Sequence, residues 1–169
     1  MNGINYYSPE QIERAFFNAS NEQNTSFIRF ILLWASFNSR IARDSRELTD
    51  RKMITWVKGN ESVYPTRYQE LLDTNQNFTA LVNKLSRIRV INFMEFKYRE
   101  KARRENRTRQ DKSDFKQVQN GDFSSLIEVI YLVRCNIVHG SKNIERQNES
   151  NLVDLCFQIL MELYRPDII

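Results

Sequence analysis

Between positions 27 and 41 six apolar residues keep to one helical face. Phe27, Phe30, Ile31, Trp34, Phe37 and Ile41 recur at helical steps of three and four or their sums. That period matches an α-helix and excludes the alternation of a half-buried strand. Ile28, Leu32, Leu33 and Ala35 widen the stripe, which predicts a central helix covered on more than one side. A chain built around such a helix must supply further helices to cover it. With four glycines and three prolines in 169 residues, few chain breakers are present to do otherwise.

The remaining helices follow from caps and stripes. Ser8-Pro9-Glu10-Gln11 reads as a capping box with proline at the first helical position, opening a helix to about Asn18. A third helix is expected over Glu47 to Lys58, stopped by Gly59. Pro65 opens a short fourth one with Leu71 and Leu72. Asn77 is the expected cap of a fifth, with Phe78, Leu81, Val82 and Leu85. Ile88 to Phe96 suits helix or strand, because its β-branched residues favour the latter. Lys97 to Asn120 is polar and predicts a solvated helix, a mobile loop or both. Asp122 then caps a sixth helix with the stripe Leu126, Ile130, Val133 and Ile137, ending near His139-Gly140. The last helix runs from Asn151 to Tyr164, and Pro166 closes it. The expectation is an all-α helical bundle of about five to seven helices in one domain, 1–169.

This length supports a hydrophobic core without disulfide staples. Cys135 and Cys156, the only cysteines, both fall in apolar helical segments and read as reduced buried thiols. The N-terminal residues show no basic stretch followed by an apolar run, so a cytoplasmic protein without a signal peptide is expected. The longest apolar run, from Phe27 to Phe37, is broken by Arg29 and is too short to cross a bilayer, so no membrane partner is expected. One histidine and two cysteines give no zinc-ligand spacing. No Gly-rich phosphate loop, paired-carboxylate metal constellation or cofactor motif is present. The expectation is no metal and no cofactor.

The chemistry concentrates on His139, the only histidine, five residues after Arg134. Histidine titrates nearest neutrality, and arginine is the usual anchor of a phosphate. Residues five apart on an ideal helix are rotated by roughly 140°. Two arrangements bring them to one phosphate. The helix tightens or breaks in its last turn beside Gly140, or two copies of the chain pair about a two-fold axis. Metal-free RNA cleavage needs a base for the ribose 2′-OH and an acid for the leaving 5′-oxygen, each contributing about 10²–10⁴-fold. A symmetric dimer supplies two imidazoles and two guanidiniums. The structural alternative is a helix-end histidine on terminal carbonyls and an arginine in a salt bridge. Against it, a charge amid the apolar faces of this helix is costly unless it lines a cleft or an interface.

The run Arg134-Cys135-Asn136-Ile137-Val138-His139-Gly140 resembles the Arg-x(4–6)-His motif of HEPN domains, a family of small helical-bundle toxins and RNA-processing ribonucleases. Leu33-Trp34-Ala35-Ser36-Phe37-Asn38 resembles the Trp…Phe-Asn helix upstream of that motif. The placement of the motif near the end of the penultimate helix matches as well. The resemblance implies a homodimeric, metal-independent endoribonuclease with Arg134 and His139 at the dimer cleft and RNA as substrate. It also implies roles in phage defence or toxin–antitoxin systems, with an antitoxin or an associated defence protein as partner. In two places the chain departs from the family. Cys135 follows the arginine where the family has Asn, Asp or His, which bears on the polar helper and leaves Asn136 as the candidate. Ser141 stands where some family toxins carry a modifiable tyrosine, so that form of control is not expected.

Three further features complete the reading. Cys135 and His139, four apart, are within reach of a thiolate–imidazolium pair, but nothing supplies an oxyanion hole. Asn38 is expected to make a structural hydrogen bond or to line the same cleft. Nine Lys or Arg against four Asp or Glu between Lys97 and Lys116 give this segment +5, while the whole chain carries +4. Within it, Arg99, Lys101, Arg103, Arg104 and Arg107 form either a solvated helix face or an electrostatic guide for RNA. The alternatives to a ribonuclease are a HEPN-like module that binds nucleotide or RNA without cutting it and a dimerisation module.

Overall fold

The computed structural model describes residues 8–59, 62–93, 97, 100–101, 115–119, 121–139 and 147–165, with residues 147 and 148 described by backbone alone. Among them are seven helices and one pair of short strands: α1 (Pro9–Glu22), α2 (Ser26–Ser45), α3 (Asp50–Val57), α4 (Tyr64–Thr74), α5 (Gln76–Ser86), β1 (Val90–Ile91), β2 (Phe115–Lys116), α6 (Phe123–Val138) and α7 (Gln147–Leu163). The all-α bundle is therefore the observed architecture. No described helix is long and apolar enough to cross a membrane.

The central position of α2 follows from its broad apolar face. It packs against α1 along its length and also touches α7, α3 and α6. Phe27, Phe30, Leu33, Trp34, Phe37 and Ile41 are buried. Leu33 lies deeper than Ile31, which is half-buried at the edge of the core. Phe37 stacks edge-on against Tyr64 and Tyr164, at 5.3 and 5.5 Å between ring centroids. The Tyr164 hydroxyl lies 2.8 Å from Ser36 Oγ and donates to Glu13 Oε1 at 2.8 Å. Burial, with Glu13 as acceptor, pushes the Tyr164 phenol above its ordinary range. Glu13 also takes Arg43 at 2.8 Å, so α1, α2 and the end of α7 share one polar knot inside the bundle.

The caps explain several boundaries. Ser8 forms the expected capping box: its backbone N–H donates to Gln11 Oε1 at 2.7 Å, and Gln11 N–H donates to Ser8 Oγ at 3.3 Å. The first helix continues past Asn18 to Glu22. The fifth helix is capped by Asn75 rather than Asn77, with Phe78 N–H donating to Asn75 Oδ1 at 3.0 Å. An N-cap side chain accepts from the second or third residue after it, as Asn75 does, and Asn77 lies one residue inside the helix. The third helix begins at Asp50, after Thr49 in extended conformation, three residues later than Glu47. The last helix begins at Gln147, four residues before Asn151. Asp122 caps α6 as expected, accepting from Ser124 N–H at 3.1 Å and Ser125 N–H at 2.8 Å.

The ambiguous stretch after α5 resolves locally into a strand. Val90 pairs with Lys116 and Ile91 with Phe115, antiparallel. Val90 is buried, and its partner strand falls in the segment read as polar helix or loop. The pairing fixes Lys116 beside α6, which both strands contact.

Candidate functional site

Helix α6 carries the Arg–His pair and separates two cavities. Its sequence explains both sides. Glu128, Tyr131, Leu132, Cys135, Asn136 and His139 fall on one helical face, at i, i+3, i+4, i+7, i+8 and i+11, and line a cavity of about 180 Å³. Arg134 and Val138, themselves one turn apart, line another of about 340 Å³ together with Trp34, Asn38 and Phe16. The helical phase holds to the end. The His139 backbone N–H donates to Cys135 O at 3.0 Å, and the residue sits at the helix C-cap with φ −85° and ψ 12°. Within one chain, Arg134 and His139 thus open onto different cavities, as their roughly 140° helical offset dictates.

Arg134 is half-buried and held. Its Nη2 lies 2.9 Å from Asp50 Oδ2. The other carboxylate oxygen accepts from Asn38 Nδ2 at 3.0 Å. The first residue of α3 therefore ties the middle of α2 to the last turns of α6. A carboxylate in the first turn of a helix also complements the dipole. Asn38 makes the structural hydrogen bond expected of it and lines the Arg134 cavity too. Beside the arginine, Val138 is 55% exposed and Phe16 37% exposed, which leaves an apolar rim around a charged centre.

His139 is exposed at the lip of the other cavity. Asn136, the candidate polar helper, turns inward rather than to solvent. It is 2% exposed and donates from Nδ2 to Ile91 O at 2.8 Å. Its side chain fastens β1 to α6 while bordering the cavity. Cys135 is half-buried and Cys156 fully buried, and neither is in a disulfide. Tyr131 stacks on Trp34 at 5.9 Å between centroids, so its ring bridges the two sides of α6. Burial and the adjacent Cys135 push its phenol up to about 12, which keeps it protonated at neutral pH.

The opposite end of the His139 cavity holds an unexpected cluster. Glu128 is nearly buried, and three cations converge on it: Lys58 Nζ at 2.6 Å, Lys116 Nζ at 2.7 Å and Arg51 Nη1 at 2.8 Å. Burial alone would raise this carboxyl. The three cationic hydrogen bonds outweigh it and hold the group down at about 2. One anion here serves three cations, from α3, its C-cap and β2.

The sequence therefore located Arg134, Asn136 and His139 but not Asp50, Arg51, Lys58, Lys116 or Glu128. A signal existed. Glu128 is the single acid in the largely apolar α6, and a carboxylate buried there requires cationic partners. Lys116 lay at the end of the basic run. Of the proposed RNA guides, Lys101 is helical and exposed, whereas Arg99, Arg103, Arg104 and Arg107 lie outside the described residues. Among the described residues, no group of three His, Cys, Asp or Glu is arranged to hold a metal ion.

Comparison with protein-family models, curated proteins and solved structures found no match to this chain.

Proposed function

We propose that this chain is a HEPN-like endoribonuclease that works as a homodimer without a metal. The observation that carries the reading is the placement of the chain's one imidazole: exposed, at the end of α6, on the lip of a cavity whose wall is cationic. An exposed histidine is free to exchange protons with a bound substrate. Arg134 faces the other way, so a second copy is the arrangement that joins His139 to Arg134. The exposed Val138 and Phe16 around Arg134 give that copy an apolar surface to cover.

In this mechanism one imidazole takes the proton of the ribose 2′-OH. The 2′-oxygen attacks phosphorus, and the bond to the 5′-oxygen breaks. The second imidazole delivers a proton to that oxygen, leaving a 2′,3′-cyclic phosphate and a 5′-OH. The Arg134 guanidiniums stabilise the charge on the pentacoordinate phosphorus. Action in a toxin–antitoxin or phage-defence system, with an antitoxin as partner, belongs to the same proposal and rests on the resemblance of the Arg–His motif.

The test is incubation of RNA with purified protein in EDTA, with end-group analysis of the products. His139→Ala and Arg134→Ala are expected to abolish cleavage while the fold and the dimer persist. Cleavage that requires added metal, or that survives His139→Ala, overturns the mechanism. A second reading, RNA binding without cleavage, is favoured by Asn136. Its amide is committed to Ile91 O, and Cys135 provides no comparable polar helper. Tight binding with no products selects it.

A further inference from the structure

We infer that Arg51 and Lys116, held in place by Glu128, form a second phosphate site for a backbone phosphate of the RNA strand that is not the one being cut. The assignment rests on the ribonuclease reading for the identity of the ligand, but not for the existence of the site.

The argument begins with charge. Glu128 needs one cation to offset its burial, and it has three. One carboxylate and three cations leave the cluster at +2, and the two cations and one carboxylate that line the cavity bordered by His139 leave +1 there. Lys58, with a side chain 19% exposed, is the structural partner and does not line the cavity. Arg51 and Lys116 do line it, and their side chains are 58% and 38% exposed. A concave site with low-dielectric walls concentrates the potential of its surplus charge, so it attracts an anion more strongly than the same cations on an open surface.

Geometry adds preorganisation. Arg51 stands in the first turn of α3, Lys116 in β2 and Glu128 in α6. Glu128 Oε2 takes both cavity cations, at 2.8 and 2.7 Å, which fixes their heads side by side. Two cations fixed side by side suit two oxygens of one phosphate, and Arg51 adds a planar fork. Much of the ordering that a phosphate would otherwise impose on these side chains is already in place. The apolar wall formed by Leu132 and the protonated Tyr131 suits the sugar and base edges that accompany a backbone phosphate better than a free inorganic ion.

The test separates this site from the chemistry. Wild type, Arg51→Gln and Lys116→Gln are titrated with a fluorescent RNA strand whose 2′-hydroxyls are replaced by hydrogen, so that it binds without being cut. Anisotropy is read from 50 to 200 mM salt. Each variant is expected to bind more weakly at low salt. Loss of one single-strand phosphate contact lowers the slope of log K against log salt by about 0.7, so the gap to wild type narrows by about 2.5-fold over this range. A merely structural role would change unfolding midpoints and leave the slope alone. Lys116→Gln alters a two-residue strand at the edge of the bundle and serves if Arg51→Gln fails to fold. Unchanged affinity and slope in a folded variant overturn the site, as does a wild type that does not bind the strand. If wild type binds with these losses yet cuts no RNA, the ribonuclease reading fails and the phosphate site stands.

Discussion

Arg134 illustrates how one side chain serves both structure and chemistry. Its ion pair with Asp50 Oδ2 satisfies a half-buried charge and orients the guanidinium toward the cavity shared with Trp34 and Asn38. Lysine keeps the charge but lacks the planar fork. Under the proposed mechanism Arg134→Lys therefore retains the fold and cuts the rate by about 10²-fold, the cost of removing one well-placed transition-state donor. A single-turnover assay beside a thermal melt checks it. A rate near wild type would show that a point charge is enough and that the fork is irrelevant. His139 was legible from sequence because it is unique, and Arg134 because a charge amid apolar faces demands a cleft. Asn136 was legible as a position but not as a role. Its partner, Ile91 O, comes from a strand 45 residues away, and no local pattern announces that contact.

Helix α6 is the element on which these roles converge, and Glu128 anchors it to α3 and β2. Replacing Glu128 with Gln removes the anion and leaves three cations close together. Breaking a fully buried pair costs roughly 3–5 kcal/mol. Because Arg51 and Lys116 are partly in water, the expected cost is smaller, about 1–3 kcal/mol. Acid has the same effect on the wild type. The folded-state carboxyl titrates at about 2 against an ordinary 4.5, so its stabilisation is complete above pH 4.5 and is lost as pH falls toward 2. Denaturant unfolding at stepped pH should thus show wild type and Glu128→Gln converging in that window. A stability gap constant down to pH 2 would contradict the anchor role. At this scale the helices were largely readable, since their 3.6-residue stripes and caps are local. The β1–β2 pair was only half readable. Val90 and Ile91 advertise a strand, but the partner Phe115–Lys116 is set by long-range packing against α6, and its polar neighbours suggested helix or loop.

At the scale of the whole molecule, a single bundle holds the histidine and the arginine on opposite sides of one helix. Under the dimer proposal, that separation makes assembly a condition of activity. Val138 is the sensitive position, because it is exposed in the protomer and borders the Arg134 cavity. Val138→Glu is expected to leave the protomer folded, to shift sedimentation toward monomer, and to make cleavage fall steeply on dilution. A fully active monomer would remove the need for a second copy.

The short strand pair has a bearing on how such a chain diversifies. Val90–Ile91 and Phe115–Lys116 clamp the ends of everything encoded between them. Closing a longer loop costs little, about 0.6 kcal/mol for each doubling of its length. Asn92, the residue after β1, lines the His139 cavity beside Lys116, so the pairing also sets one edge of that cavity. Changes of length in the interval where the basic run lies therefore cost little in closure entropy while the strand pair holds Lys116 against α6.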